Sequence, residues 1–193
     1  KPHREESLLG GHLWIFSGAL QQPPHWIEAG GLVDVKSATG QFVARGYYNP
    51  QTDIAIRILT HNPEEAIDAE FLRQRIRHAL ALRQIFDPQQ TNTYRLINSE
   101  GDGFPGLVVD RYADILVAQI HTAGMEYLQP LLIDALMQET GVRGILLRND
   151  SQSRRREGLE VEEPAVAAGE VPAQVAVCEN GIQFLVDPWQ GQK

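Results

Sequence analysis

Three glycines and a proline between Asn98 and Tyr112 constrain this chain more than any other stretch. In Asn98-Ser99-Glu100-Gly101-Asp102-Gly103-Phe104-Pro105-Gly106-Leu107-Val108-Val109-Asp110-Arg111-Tyr112 the glycines spell G-x-G-x-x-G. That spacing cradles a pyrophosphate only when a strand precedes it and a helix follows, because the helix N-terminus must meet the anion. Here Pro105 interrupts the loop and Leu107-Val108-Val109 reads as a β run. Glu100 and Asp102 would repel a phosphate. The segment reads as a turn into a strand.

The chain has 193 residues, 42% hydrophobic and 22% charged, which suits one generous globular domain or two small ones. No apolar run approaches the roughly 18 residues of a membrane span. With no membrane partner expected, and a single cysteine in place of a disulfide framework, the reading is a cytoplasmic protein. The net charge of −8 argues against strong nonspecific nucleic-acid binding. Its distribution matters more. Residues 1–60 balance five basic against five acidic side chains, whereas residues 91–193 hold eight basic against fifteen acidic. Specific RNA contact is compatible with the first module; a broad electrostatic footprint is not.

Ser7 to Leu20 suggests a short helix or turn at the start of a small barrel. Leu32 to Lys36 and Ile54 to Ile58 alternate with period two, Phe42 to Tyr48 is a further strand, and Asn49-Pro50 ends it. Several short strands at this spacing predict a compact β barrel. From Asp68 to Phe86 the period becomes helical, with Leu72, Ile76, Ala79, Leu80 and Phe86 in a stripe and Asp68 as N-cap. Asp87-Pro88 stops it, and Gln89 to Thr93 reads as a polar linker. The rest reads strand, strand, helix, strand, strand. Leu107 to Tyr112 and Ile115 to His121 come first, then a helix over Met125 to Glu139 with Pro130 near its first turn and Gly141 as its stop. Gly144 to Arg148 follows, and a hairpin of Val175 to Glu179 and Ile182 to Val186 closes on Asn180-Gly181. Glu160 to Gln174 reads as a surface loop. The fold class is α+β. The expected domains are 1–67, a connecting helix and linker over 68–93, and a central α+β domain over 94–193.

Candidate catalytic chemistry is sparse. Cys178 lies in the apolar strand Val175-Ala176-Val177-Cys178 beside Glu179, a setting for a buried structural thiol and not for an activated thiolate. The six histidines show no ligand spacing, so no metal is expected.

Asn98 to Tyr112 resembles a stretch of the S-adenosylmethionine-dependent large-subunit rRNA methyltransferases that modify cytosine at C5. Gly46-Tyr47-Tyr48-Asn49-Pro50 with Ile54 to Leu59, His12 to Leu20, Arg154 to Glu160 and Glu179 to Phe184 are similar to the same family, in family order. The resemblance implies a PUA domain, a central α+β domain and then a Rossmann-like methyltransferase domain. A motif like Gln190-Gly191-Gln192-Lys193 precedes that last domain in the family, so the chain is expected to be a recognition fragment without it. The catalytic cysteine would belong to the absent domain, and S-adenosylmethionine would be a cofactor of the full-length protein only.

The implied partner is 23S-like ribosomal RNA, with a homodimer possible. Aromatic stacking and phosphate contacts would come from His12, Trp14, Lys36, Arg45, Tyr47, Tyr48 and Arg57 in the PUA-like module, and from Arg154 and Arg155. Trp14 and one of the tyrosines read as core ahead of contact, because aromatics dominate small cores, and Arg73 and Arg77 read as a solvated helix face. Members often carry basic residues where this chain has Glu6, Gly10 and Gly11, which removes charge near the expected RNA surface. Two other readings stand beside it. One is a stand-alone RNA-binding or ribosome-assembly module, the other an interaction or dimerisation scaffold.

Overall fold

The computed structural model describes residues 10–21 and 26–190. Four antiparallel strands open the chain. They are β1 (Trp14–Phe16), β2 (Leu32–Lys36), β3 (Phe42–Tyr48) and β4 (Ile54–Thr60), in the spatial order β1-β4-β3-β2. Ser7, Leu8 and Leu9 lie outside the described residues. The rest of the segment expected as a helix or turn forms β1 and a 3-10 turn over Ser17–Ala19, because Ile15 is needed in the core of this module opposite Ile56. Where a closed barrel was expected, the four strands form one sheet with β1 and β2 at its edges, not paired with each other among the described residues. Ile15, Ala44, Tyr48, Ala55, Ile56 and Ile58 make that core.

Helix α1 (Ala69–Leu82) follows. The Asp68 side chain caps it by accepting from the Phe71 N–H at 3.0 Å. It ends before Phe86, which instead stacks on Tyr94 with ring centroids 5.1 Å apart. Phe71, Leu72, Ile76 and Ala79 are buried in the main core. Arg73 and Arg77 are ion-paired to Glu70, and Arg77 also to Glu139 at 2.7 Å.

The main body is a five-stranded sheet in the order β5-β6-β7-β8-β9. Its members are β5 (Thr93–Asn98), β6 (Leu107–Tyr112), β7 (Ile115–Ile120), β8 (Gly144–Leu147) and β9 (Ala165–Gly169). β7 and β8 run parallel, so a crossover must join them, and two helices supply it: α2 (Ala123–Tyr127) and α3 (Gln129–Thr140). Gly141, at φ 60°, stops α3.

Three departures from the sequence reading have physical causes. β5 has no counterpart in the sequence reading, which ends its linker at Thr93 and takes Leu107 to Tyr112 as the next strand; a register shift between Arg95 and Ile97 breaks the alternation of β5. β9 falls in the expected surface loop, since alanines and glycine carry little strand preference and the open edge of β8 decides the conformation. The single expected helix breaks at Leu128, and Pro130 sits in the first turn of α3, where no N–H is required. The hairpin of β10 (Val175–Glu179) and β11 (Ile182–Val186) forms as read, with Asn180 and Gly181 both at positive φ.

Candidate nucleic-acid interface

Side chains alternate across a strand, so residues in lateral register share one face of a sheet. Trp14 aligns with Arg57, Arg57 with Tyr47, and Tyr47 with Leu32, one row across all four barrel strands. This row meets the main body. The Trp14 indole N–H donates to Glu100 Oε1 at 3.1 Å, and Arg57 Nη2 lies 2.7 Å from Glu157 Oε1. The Tyr47 hydroxyl is 2.8 Å from the Pro105 carbonyl oxygen and 3.0 Å from Thr122 Oγ1. Burial pushes the Tyr47 hydroxyl well above the ordinary phenol range, so it stays a donor. Its ring lies flat on Gly124, where an added Cβ would stand 1.9 Å from Tyr47 Cγ. Gly124→Ala is therefore expected to cost about 3 kcal/mol, the upper range for overpacking, read by urea denaturation.

Behind the row sits a buried polar joint. Asn49 and Glu157 are 1% and 6% exposed. Asn49 Nδ2 donates to the Glu157 carbonyl at 2.9 Å and to its Oε2 at 3.0 Å. The Ala123 N–H points at the same Oε2 from 3.5 Å. Burial of these groups is tolerable because they partner one another.

The glycine-rich loop is the second anchor. Asp102 accepts from Arg83 Nη1 and Nη2, each at 2.7 Å, and from the Asn98 N–H at 2.7 Å. Arg75 donates to the carbonyls of Gly103 and Leu59 and lies 4.2 Å over the Phe71 ring. Ser99 Oγ accepts from the Gly106 N–H at 2.7 Å. Gly106 has φ +79°, and a Cβ there would meet Thr122 Cγ2 at 2.1 Å. Gly103 and Gly106 thus let the backbone pass close to the Arg75 and Thr122 side chains, and the loop runs into β6.

Burial would raise the Asp102 carboxyl, but the hydrogen bonds from Arg83 and Asn98 outweigh it and hold the group below the ordinary range. A depressed carboxylate contributes stability that is present above its unfolded value, about 3.9, and is lost as pH falls through the folded one. Asp102→Asn is expected to remove this part of the acid loss. The check is a comparison of denaturation midpoints at pH 3 and pH 7.

The remaining candidates divide by exposure. Arg45 is ion-paired to Asp34 at 2.7 Å and donates to the Glu65 carbonyl; Tyr48 is buried in the barrel. Arg154, expected at the surface, is 1% exposed and donates to the carbonyls of Ile120 and Glu160 at 2.5 and 2.7 Å. The reason is the 3-10 turn over Gln152–Glu157, which aims Arg154 and Glu157 inward and leaves Arg155 and Arg156 outside. Lys36, His12 and Arg155 are exposed. Sequence reasoning missed Phe16, 49% exposed and 6.4 Å from the His12 ring, whose spacing of two from Trp14 was the available signal. It also missed Asn49 and Glu157, for which no local signal exists. Cys178 is buried with Sγ 3.2 Å from the Gln90 carbonyl oxygen. Among the described residues no group of three or more His, Cys, Asp or Glu is placed to hold a metal ion. No described helix is long and apolar enough to cross a membrane.

Residues 1–61 match the family model of a PUA-like domain. The chain is 38% identical over 191 residues to the ribosomal RNA large subunit methyltransferase I of Serratia proteamaculans, covering 98% of this chain and 48% of that one. It is 40% identical over 199 residues to the protein of that name from Shewanella denitrificans, covering 100% and 49%. The chain therefore spans about half the length of the curated relatives it matches. Among solved structures, a Streptococcus mutans protein described as a SAM-dependent methyltransferase superposes with a TM-score of 0.75 at 20% identity, over 97% of this chain and 47% of that one. A methyltransferase solved with SAH gives a TM-score of 0.78 at 20% identity, with the same coverage. At that identity the structural likeness establishes the fold.

Proposed function

Starting from a chain related over its whole length to ribosomal RNA large subunit methyltransferases and opening with a PUA-like domain, we propose that it is the RNA-recognition portion of such an enzyme. It would hold a segment of large-subunit rRNA for cytosine-C5 methylation by a methyltransferase domain that binds S-adenosylmethionine. The observation that carries this reading is the 37–40% identity to rRNA methyltransferases along the full chain. The seam supports it physically. A barrel joined to the main body through Trp14, Tyr47, Arg57 and Glu157 presents bound RNA at one fixed angle. A base extruded for chemistry requires such a fixed angle.

The contact set is the exposed remainder: Lys36, His12, Phe16, Arg155 and Arg156. Titrating the chain with a 23S rRNA fragment at 50 and 200 mM salt tests the reading. Binding that weakens with salt is the expected result, and absence of binding at low salt would defeat it. Lys36→Ala and Arg155→Ala are each expected to reduce the salt slope by about 1 while leaving the thermal midpoint unchanged.

A further inference from the structure

The outward positions along β1 are aromatic. Trp14 and Phe16 flank the buried Ile15, His12 stands two residues before Trp14, and β1 is an edge strand of its sheet. The three rings form one cluster. The His12 centroid lies 6.1 Å from that of Trp14 and 6.4 Å from that of Phe16. Phe16 is 49% exposed and Trp14 37%. The His12 ring is held in place, because its Nδ1 accepts from the Trp14 backbone N–H at 3.1 Å, which leaves Nε2 to donate.

A carboxylate from the glycine-rich loop borders this cluster. Glu100 Oε1 accepts from the Trp14 indole N–H at 3.1 Å, and Oε2 accepts from the Ser99 hydroxyl at 2.6 Å. Ser99 Oγ in turn accepts from the Gly106 N–H at 2.7 Å. Ser99 makes both bonds at φ 51°, in the left-handed region that a non-glycine residue adopts only at a cost. A carboxylate oxygen can accept twice, so each oxygen of the half-buried Glu100 retains an acceptor position. Such a group repels phosphate and takes N–H donors. Cations stand on the neighbouring turn instead. Arg57, in register with Trp14, is ion-paired to Glu157, and the exposed Arg155 and Arg156 immediately precede Glu157.

We infer that this cluster is a nucleobase site for an unpaired RNA base that carries an exocyclic amino group. The base stacks on Phe16 and His12, the amino group donates to Glu100, and Arg155 and Arg156 take the flanking phosphates. Trp14 and Ser99 fix the carboxylate against the stacking surface. Adenine, cytosine and guanine each supply the amino donor, whereas uracil has a carbonyl oxygen in its place, which the carboxylate repels. The inference rests on the proposed function, since it takes RNA as the partner, and it adds which bases are selected and by which group.

The probes are single-stranded pentanucleotides of uridine with A, C, G or U at the centre, the same strand with a central 2-aminopurine, and the 23S rRNA fragment. All are titrated at about 50 mM salt. Saturable quenching of the 2-aminopurine fluorescence is expected as that base stacks, and the A, C and G strands are expected to bind about tenfold tighter than the all-uridine strand. Phe16→Ala is expected to weaken every strand about tenfold, as loss of one base stack does. Phe16→Tyr keeps a ring there and is expected to bind as the parent does, which separates lost stacking from lost folding. Glu100→Gln is expected to bring the all-uridine strand within about twofold of the others while the quenching persists. The inference is overturned by equal affinity for all four strands in the parent, by unchanged affinity in Phe16→Ala, or by a patch that mediates only self-association, read by sedimentation. Binding of the rRNA fragment without these pentanucleotide effects sinks the base site and leaves the RNA-recognition reading standing. Pentanucleotide binding without binding of the rRNA fragment does the reverse.

Discussion

Glu157→Ala is expected to lower stability by about 3–5 kcal/mol, the range for removing one partner of a buried ion pair. The variant strands the Arg57 guanidinium, whose side chain is only 11% exposed, and withdraws one acceptor from Asn49 Nδ2. Arg57 Nη1 already has no hydrogen-bond partner, so the site has no spare acceptor to offer. Equilibrium urea denaturation measures the loss. Because the joint lies between barrel and main body, proteolysis should then cut near residues 61–68 before it cuts the five-stranded sheet. Glu157→Leu combined with Arg57→Met removes both charges and is expected to recover most of the loss, because no ion is then left unpaired. A double variant as unstable as Glu157→Ala would show that packing and not charge holds the seam.

The second large effect separates three adjacent arginines. Arg154→Met is expected to cost about 3–5 kcal/mol, since it leaves the carbonyls of Ile120 and Glu160 unpartnered and removes the ion pair to Glu126. Arg154→Lys keeps the charge but loses the planar fork that reaches both carbonyls, so roughly half the loss is expected to remain. Arg155→Ala and Arg156→Ala should leave stability within about 0.5 kcal/mol, as substitutions at exposed positions do. The RNA readout should run the other way. Affinity per folded molecule is expected to fall for Arg155→Ala and to hold for Arg154→Lys.

These arginines show where sequence reasoning stops. Arg154-Arg155-Arg156 is one run of charge in the chain, and only the 3-10 geometry divides it into a buried tie and two exposed cations. Trp14, Tyr47 and Arg57 had the composition of an RNA-stacking surface. Strand register put them in a single row, and that row faces protein. Strands β2, β3 and β4, the cap at Asp68, the Asn180-Gly181 hairpin and the turn reading of the glycine loop were legible, whereas β1 was read as a helix or turn. Each depends on local periodicity or backbone preference within a few residues. β5 and β9 were not legible, because their conformation is decided by the edges they complete.

What the amino-acid sequence determined by itself is the set of local choices: where strands alternate, where the chain turns, and that Pro105 and a following strand exclude a nucleotide cradle. It also carried the likeness to rRNA methyltransferases, spread over short motifs in order. Only the tertiary structure decided which polar groups are buried against protein and which stay exposed. Asn49 and Glu157 are 108 positions apart, as are none of the local signals, and their 2.9 Å hydrogen bond exists because two sheets bring a turn of the barrel against a turn of the main body. Burial makes that bond matter: in solvent each group would find water, and inside the seam each depends on a few fixed partners, Glu157 on Asn49 and Arg57, and Asn49 on Glu157 and the Gln51 N–H.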